Sequence, residues 1–465
     1  MKKYFYKSGL WAFLAVVFFT SCQPEIDAPE ISKGNADFTR YVALGNSLTA
    51  GFADGALYRA GQEVSYPSIL AQQFKLVGGG DFKQPLVPIT ANDIGVGVPI
   101  IQSPTNITFP AKFFLGTSTD CRGTTNLGPV RAAASGESSI LLTNRIGNQG
   151  PYNNMGVPGA LSYHLLAPEY GSSDLNKILS GQANPFFSRF ASSNSTSIIQ
   201  DAMAQNPTFF TLWIGNNDVL GYALSGGAGS PTPVTGGTPT NPSFDMALTA
   251  LATTLTAQGA KGAIANIPDI TKAPYFNTVP YNGLVLSDTT QALALTQAYA
   301  QLGFKFRVGP NPFIIKDSSS PGGRRQIRPT EKILLSISQD SLKCNGLGSQ
   351  IAISQNNVLT DAELKIIQGA ISGYNGIIKY LTDSKNLAYV DAFSTLNSLA
   401  TGITQNQVTY NTTFVSGNVF SLDGLHFAPR GNALVANEFI KAINAKYAAT
   451  LPTVNVNAYT GVLFP

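Results

Sequence analysis

The chain holds only two histidines, and one of them, His426, follows a carboxylate, Asp423, at a spacing of three residues. A bend at the intervening Gly424 brings that carboxylate to the ring Nδ1, where it fixes the tautomer and stabilises an imidazolium. Such a pair is equipped to act as a general base. A serine hydroxyl is a poor nucleophile at neutral pH until a base takes its proton, and acyl transfer is the chemistry that then opens. Ser47 has the surroundings for that task. Tyr41 to Leu44 reads as a short buried strand, and Gly45-Asn46-Ser47 turns directly after it. The hydroxyl thus falls at the C-terminal edge of a strand, the rim at which open α/β sheets bind ligands. Taken alone, the stretch also fits a serine that caps the next helix, and His426 also fits a surface histidine near a helix start. The second histidine, His164, between Tyr163 and Leu165, reads as a packed or partly exposed structural residue.

Strands and helices must carry these groups to one rim, and the chain alternates between the two. Thr208 to Ile214, Gly262 to Ile267 and Leu387 to Phe393 are near-continuous apolar runs, as expected of strands covered on both faces. Helical periodicity marks 65–74, 195–205, 244–258 and 432–447, and Thr360-Asp361-Ala362-Glu363 has the form of a capping box opening a helix to about Thr382. Strands alternating with helices predict an α/β fold with a parallel three-layer sheet. Long excursions interrupt it at about 77–150, 226–242 and 280–357. The second is Gly/Pro/Thr/Ser-rich and reads as mobile. The third carries a basic cluster, Arg324, Arg325 and Arg328. Phe109, Phe113 and Phe114 in the first excursion, with Tyr275, Phe276 and Tyr281 around the start of the third, fit either the cover of an apolar acyl pocket or satellite cores under long loops.

Four separated stretches now combine: Gly45-Asn46-Ser47-Leu48, Asn154-Met155-Gly156-Val157-Pro158-Gly159, Gly215-Asn216-Asn217-Asp218 and Asp423-Gly424-Leu425-His426. In this order the set resembles the SGNH hydrolases, also called the GDSL esterase/lipase family. The resemblance implies a three-layer α/β/α, flavodoxin-like parallel sheet with long loop insertions. It implies Ser47 as nucleophile, His426 as base and Asp423 as its orienting carboxylate. It also implies an oxyanion hole made by the backbone N–H of Ser47, the backbone N–H of Gly156 and the side-chain amide of Asn217. Asn216 is the rival for the amide role, and Asp218 reads as a loop organiser. The implied activity is cleavage of carboxylic acyl esters with no metal or organic cofactor. Removal of acetyl groups from glycans, or a non-catalytic binding protein of the same fold, are the alternatives. Asn46 stands where the family usually has Asp, which removes a charge near the site. A histidine base predicts that activity falls in acid.

Residues 1–21 resemble a bacterial lipoprotein signal: Lys2, Lys3 and Lys7 precede an apolar core from Leu10 to Phe19, and Thr20-Ser21-Cys22 follows. Lipid on Cys22 would anchor the protein to the cell envelope, with residues 22–36 as an acidic tether and 37–465 as the hydrolase-like domain. An ordinary secretory signal with an incidental Cys22 is the alternative. Without residues 1–21 the chain has 27 basic and 26 acidic residues. That balance implies neither a nucleic-acid surface nor a strongly anionic partner. The expected partners are an ester substrate, lipid or acylated glycan, and the membrane through the N-terminal lipid, the protein acting as a monomer. Cys121 and Cys344 remain, free to pair in an oxidising compartment, a pairing their spacing leaves open. So few Cys and His argue against a structural zinc site.

Overall fold

Five short strands pair as one parallel sheet in the computed structural model, which describes residues 30–90, 93–103 and 106–465. The leader and Cys22 lie outside the described residues. The strands are β1 (Tyr41–Gly45), β2 (Asn154–Gly156), β3 (Phe209–Trp213), β4 (Lys261–Ala265) and β5 (Ala388–Val390), in the spatial order β5-β4-β3-β1-β2. Every residue of β1 and β3 is buried, which is why these strands read as unbroken apolar runs rather than alternating ones. After β1 the chain adds β2 on one side and then crosses to lay β3 on the other, with Ala43 opposite both Asn154 and Thr211. The order therefore reverses at β1, and the C-terminal ends of β1 and β3 diverge there. In open α/β sheets that crevice is where ligands bind.

Among the helices of the described residues, those that matter for the site are α1 (Ser47–Ala50), α2 (Tyr66–Lys75), α3 (Ile198–Met203), α4 (Asn216–Leu224), α5 (Phe244–Thr256), α6 (Asp361–Ser384) and α7 (Pro429–Tyr447). α2 packs on α7, with Tyr66 stacked on Phe439 at 4.9 Å and Phe74 edge-on to Tyr41 at 4.9 Å. Alternate residues of β3 meet this pair, Phe209 against Tyr447 and Trp213 against Tyr66. α5 packs on α6, where Phe244 stacks on Tyr374 at 4.2 Å. The expected capping box is present: the Thr360 N–H donates to Glu363 Oε2 at 2.8 Å. The last strand is shorter than its apolar run because Asp391 accepts from the Ser394 N–H at 3.0 Å and starts a helix at Ala392. Among the described residues, no helix is long and apolar enough to cross a membrane.

The excursions have structure of their own. The first folds into two antiparallel hairpins, Ile100–Ser103 with Asn106–Thr108 and Phe113–Thr119 with Thr125–Arg131. The third encloses a separate apolar cluster around Phe313, Ile314, Ile333 and Ile353, against which Tyr281 packs. Phe109 and Phe276 are buried in the main core instead. Arg325 of the basic cluster is turned inward, pairing with Asp317 and Glu331 at 2.6 Å each. A disulfide joins Cys121 of the first excursion to Cys344 of the third. The loop 226–242 is tied to the helices at Thr232. The Thr232 N–H donates to the Asp218 carbonyl at 2.8 Å, and Tyr374 donates its hydroxyl to the Thr232 carbonyl.

Candidate active site

β1 delivers the chain to Asn46, which caps α1: its Oδ1 accepts from the Leu48 N–H at 3.1 Å. Ser47 is consequently the first residue inside the helix and not its cap, and its hydroxyl is left for other partners. Asn46 is almost wholly buried, and its Nδ2 finds no acceptor among the described residues. The Ser47 carbonyl is occupied by the Phe52 N–H at 3.0 Å, while its own N–H, at the start of a helix, meets no acceptor among the described residues.

The segment before α7 supplies the other two groups. Gly424 takes φ +73°, the left-handed bend expected of it. Asp423 Oδ1 accepts from the N–H groups of Leu425 and His426, both at 2.9 Å, and Oδ2 accepts from His426 Nδ1 at 2.8 Å. With Nδ1 donating to a carboxylate, the hydrogen-bond pattern assigns Nε2 as the acceptor. Nε2 lies 2.8 Å from Ser47 Oγ. The His426 and Asp423 side chains are 15% and 10% exposed. Burial favours the neutral acid, but the His426 charge, the ring hydrogen bond and the two backbone amides outweigh it and hold Asp423 well below the usual carboxylate range. Asp423 is therefore an anion throughout the neutral range.

A turn that sequence reasoning missed grips this carboxylate. The Gly55 N–H donates to Asp423 Oδ2 at 2.8 Å. Ser421 Oγ accepts from the Asp54 N–H at 2.9 Å and donates to Asp423 Oδ1 at 3.1 Å. Asp54 accepts from the Leu422 N–H at 2.9 Å and the Tyr58 hydroxyl at 2.7 Å. Burial pushes its carboxyl up, with the charge of Asp423 acting in the same direction. The only trace of this in the sequence is an Asp-Gly pair, an ordinary turn signal.

No family model matches the chain, and no curated protein matches it. The site stands on its own geometry.

One expectation needs correction. The Gly156 N–H is not free for an oxyanion: it donates to Asn154 Oδ1 at 3.0 Å inside a buried strand. Gly156 is small for packing, since a Cβ there would lie 2.6 Å from the Thr49 carbonyl carbon of α1. The exposed residue of the same stretch is Gly159, which takes φ +81° in a turn closed by the Ala160 N–H on the Val157 carbonyl at 3.1 Å. Among the described residues the Gly159 N–H meets no acceptor. The side chain of Asn217 reaches this turn, donating to the Ala160 carbonyl at 2.9 Å. Its rival Asn216 is buried. Asp218 organises the loop, accepting from Ser162 N–H at 2.9 Å and Ser162 Oγ at 2.6 Å.

His164 is a packed residue, as expected. Its Nδ1 accepts from the Leu161 N–H at 3.2 Å, its ring stacks on Tyr170, and burial pushes its pKa down to about 4. Among the described residues no cluster of His, Cys, Asp and Glu has the makings of a metal site.

Proposed function

We propose that the chain is a serine hydrolase of carboxylic acyl esters, of the three-layer SGNH type that its four motifs resemble. One observation carries this: Ser47 Oγ, His426 Nε2 and Nδ1, and Asp423 Oδ2 form a chain of two 2.8 Å hydrogen bonds between groups 379 positions apart. Ser47 attacks the ester carbonyl as its proton passes to His426 Nε2, and the imidazolium formed is stabilised by the ionised Asp423. The oxyanion takes the N–H of Ser47, the N–H of Gly159 and the second N–H of the Asn217 amide. His426 then returns its proton to the departing alkoxide. Water, deprotonated by the same nitrogen, cleaves the acyl-enzyme.

A groove of about 1320 Å³ between the excursions supports substrates with long acyl chains. Leu284, Leu286, Leu295, Phe313 and Leu335 line it. It adjoins the catalytic loop, because a Cβ on Gly424 would lie 3.3 Å from Leu335 Cδ2. Lipid attachment at Cys22 belongs to the same proposal and places the enzyme at a membrane where such esters occur.

The test is labelling by a fluorophosphonate probe. Wild type labels at Ser47 and Ser47→Ala does not; an unreactive wild type, or equal labelling of the variant, overturns the proposal. Nitrophenyl esters from acetate to palmitate then report the acyl preference, expected to rise with chain length.

A further inference from the structure

A second cavity, of about 520 Å³, shares no lining residue with the Ser47 site. Arg59, Lys83, Arg145 and Arg189 converge on it, together with Asn144 and Gln149. Of the four cations only Arg59 has a carboxylate, pairing with Glu63 at 2.9 Å. Among the described residues no acid lies within ion-pairing distance of Lys83, Arg145 or Arg189. Their partners are neutral: Lys83 donates to the Gln149 carbonyl, and Arg145 to Ser188 Oγ. Arg189 is 2% exposed and donates to the carbonyls of Pro85 and Leu86 at 2.7 Å each. Its Nε meets no acceptor, and burial pushes its pKa down to about 10.

Charges gathered without a counter-charge are costly when withdrawn from water, and a guanidinium presents five donors in a fork that matches a tetrahedral oxyanion. Of the three cations without a carboxylate only Arg189 is withdrawn from water, and a buried guanidinium with an unmet Nε beside two exposed, unpaired cations is the expected signature of a site whose counter-charge arrives with a ligand. Asn144 adds the complementary signal. Its Oδ1 is buried with no donor, an acceptor suited to a hydroxyl. We propose that this cavity binds a phosphate monoester carried on a small polyol, the phosphate meeting Lys83, Arg145 and Arg189 and a hydroxyl meeting Asn144. The cavity holds more than a free phosphate, which leaves room for the polyol.

This site does not depend on the hydrolase assignment. Its test is calorimetric titration of the purified full chain with glycerophosphate, inorganic phosphate and glycerol, and binding to phosphatidylcholine vesicles with and without phosphatidic acid. Saturable binding of glycerophosphate, tighter than inorganic phosphate and absent for glycerol, is expected. In the Lys83→Ala/Arg145→Ala double variant the affinity falls by about tenfold or more, as loss of charge-assisted hydrogen bonds requires. Both side chains are exposed, so thermal unfolding and Ser47 labelling should stay as in wild type. Vesicle binding that needs phosphatidic acid assigns a lipid-borne monoester, and its absence beside tight glycerophosphate binding assigns a soluble one. No saturable binding of any phosphate probe, or equal affinity in the double variant, overturns the proposal.

Discussion

The Asn217 amide spends one N–H on the Ala160 carbonyl, and that bond aims the other. Asn217→Ala should lower kcat by about 10²–10³ with little change in KM, the usual loss for one oxyanion donor; steady-state kinetics on a nitrophenyl ester reads both. His164 contributes to acid stability instead. Burial holds its folded pKa at about 4, below the ordinary histidine value of 6.5, so between those values the unfolded chain binds more protons. Stability must then fall as pH drops from about 6.5 to 4, and is unaffected by this group above that window. The full shift is worth about 3 kcal/mol. Urea unfolding at several pH values in this range should show a shallower decline in His164→Asn than in wild type.

α1 is a single turn, and so short a helix has little stability of its own. Its position is imposed from outside. Asn154 Nδ2 donates to the Thr49 carbonyl at 2.9 Å and to Gln84 Oε1 at 3.0 Å, while Oδ1 holds the Gly156 N–H. Asn154→Ala strands a buried N–H and frees the end of α1, at a cost of about 1–3 kcal/mol. Because α1 carries Ser47, kcat should fall together with the urea midpoint. A midpoint equal to wild type would show that the helix is held by other means. The Asp54-Gly55 turn does for Asp423 what Asn154 does for Ser47, and both act from the first strand crossing to hold residues of distant sequence.

Across the molecule, the excursions are fastened to each other as well as to the sheet. The disulfide closes a loop spanning 223 positions, and Lys343 pairs with Asp120 beside it at 3.1 Å. Removing it as Cys121→Ser/Cys344→Ser should lower stability by about 2–4 kcal/mol, measured by chemical denaturation. Residues beside both cysteines, Asp120, Arg122, Leu342 and Lys343, line the long groove. The double variant should therefore lose rate on palmitate esters and keep its rate on acetate esters. Equal loss on both would separate the groove from the acyl chain.

Local features were legible from the residues alone. Apolar runs marked all the long sheet strands because a strand covered on both faces must be apolar throughout, and the capping box at Thr360 is written in four consecutive residues. Ser47, Asp423 and His426 were legible because few residue types can act as nucleophile and base, and this chain has only two histidines. Tertiary structure decided the rest. That the Gly156 N–H is taken up depends on where Asn154 points, and the hold of Gly55 on Asp423 crosses 368 positions. The meeting of four cations at a single cavity is equally invisible in one dimension. Such contacts are made by side chains and backbone groups whose neighbours come from other strands, so no periodicity along the chain records them.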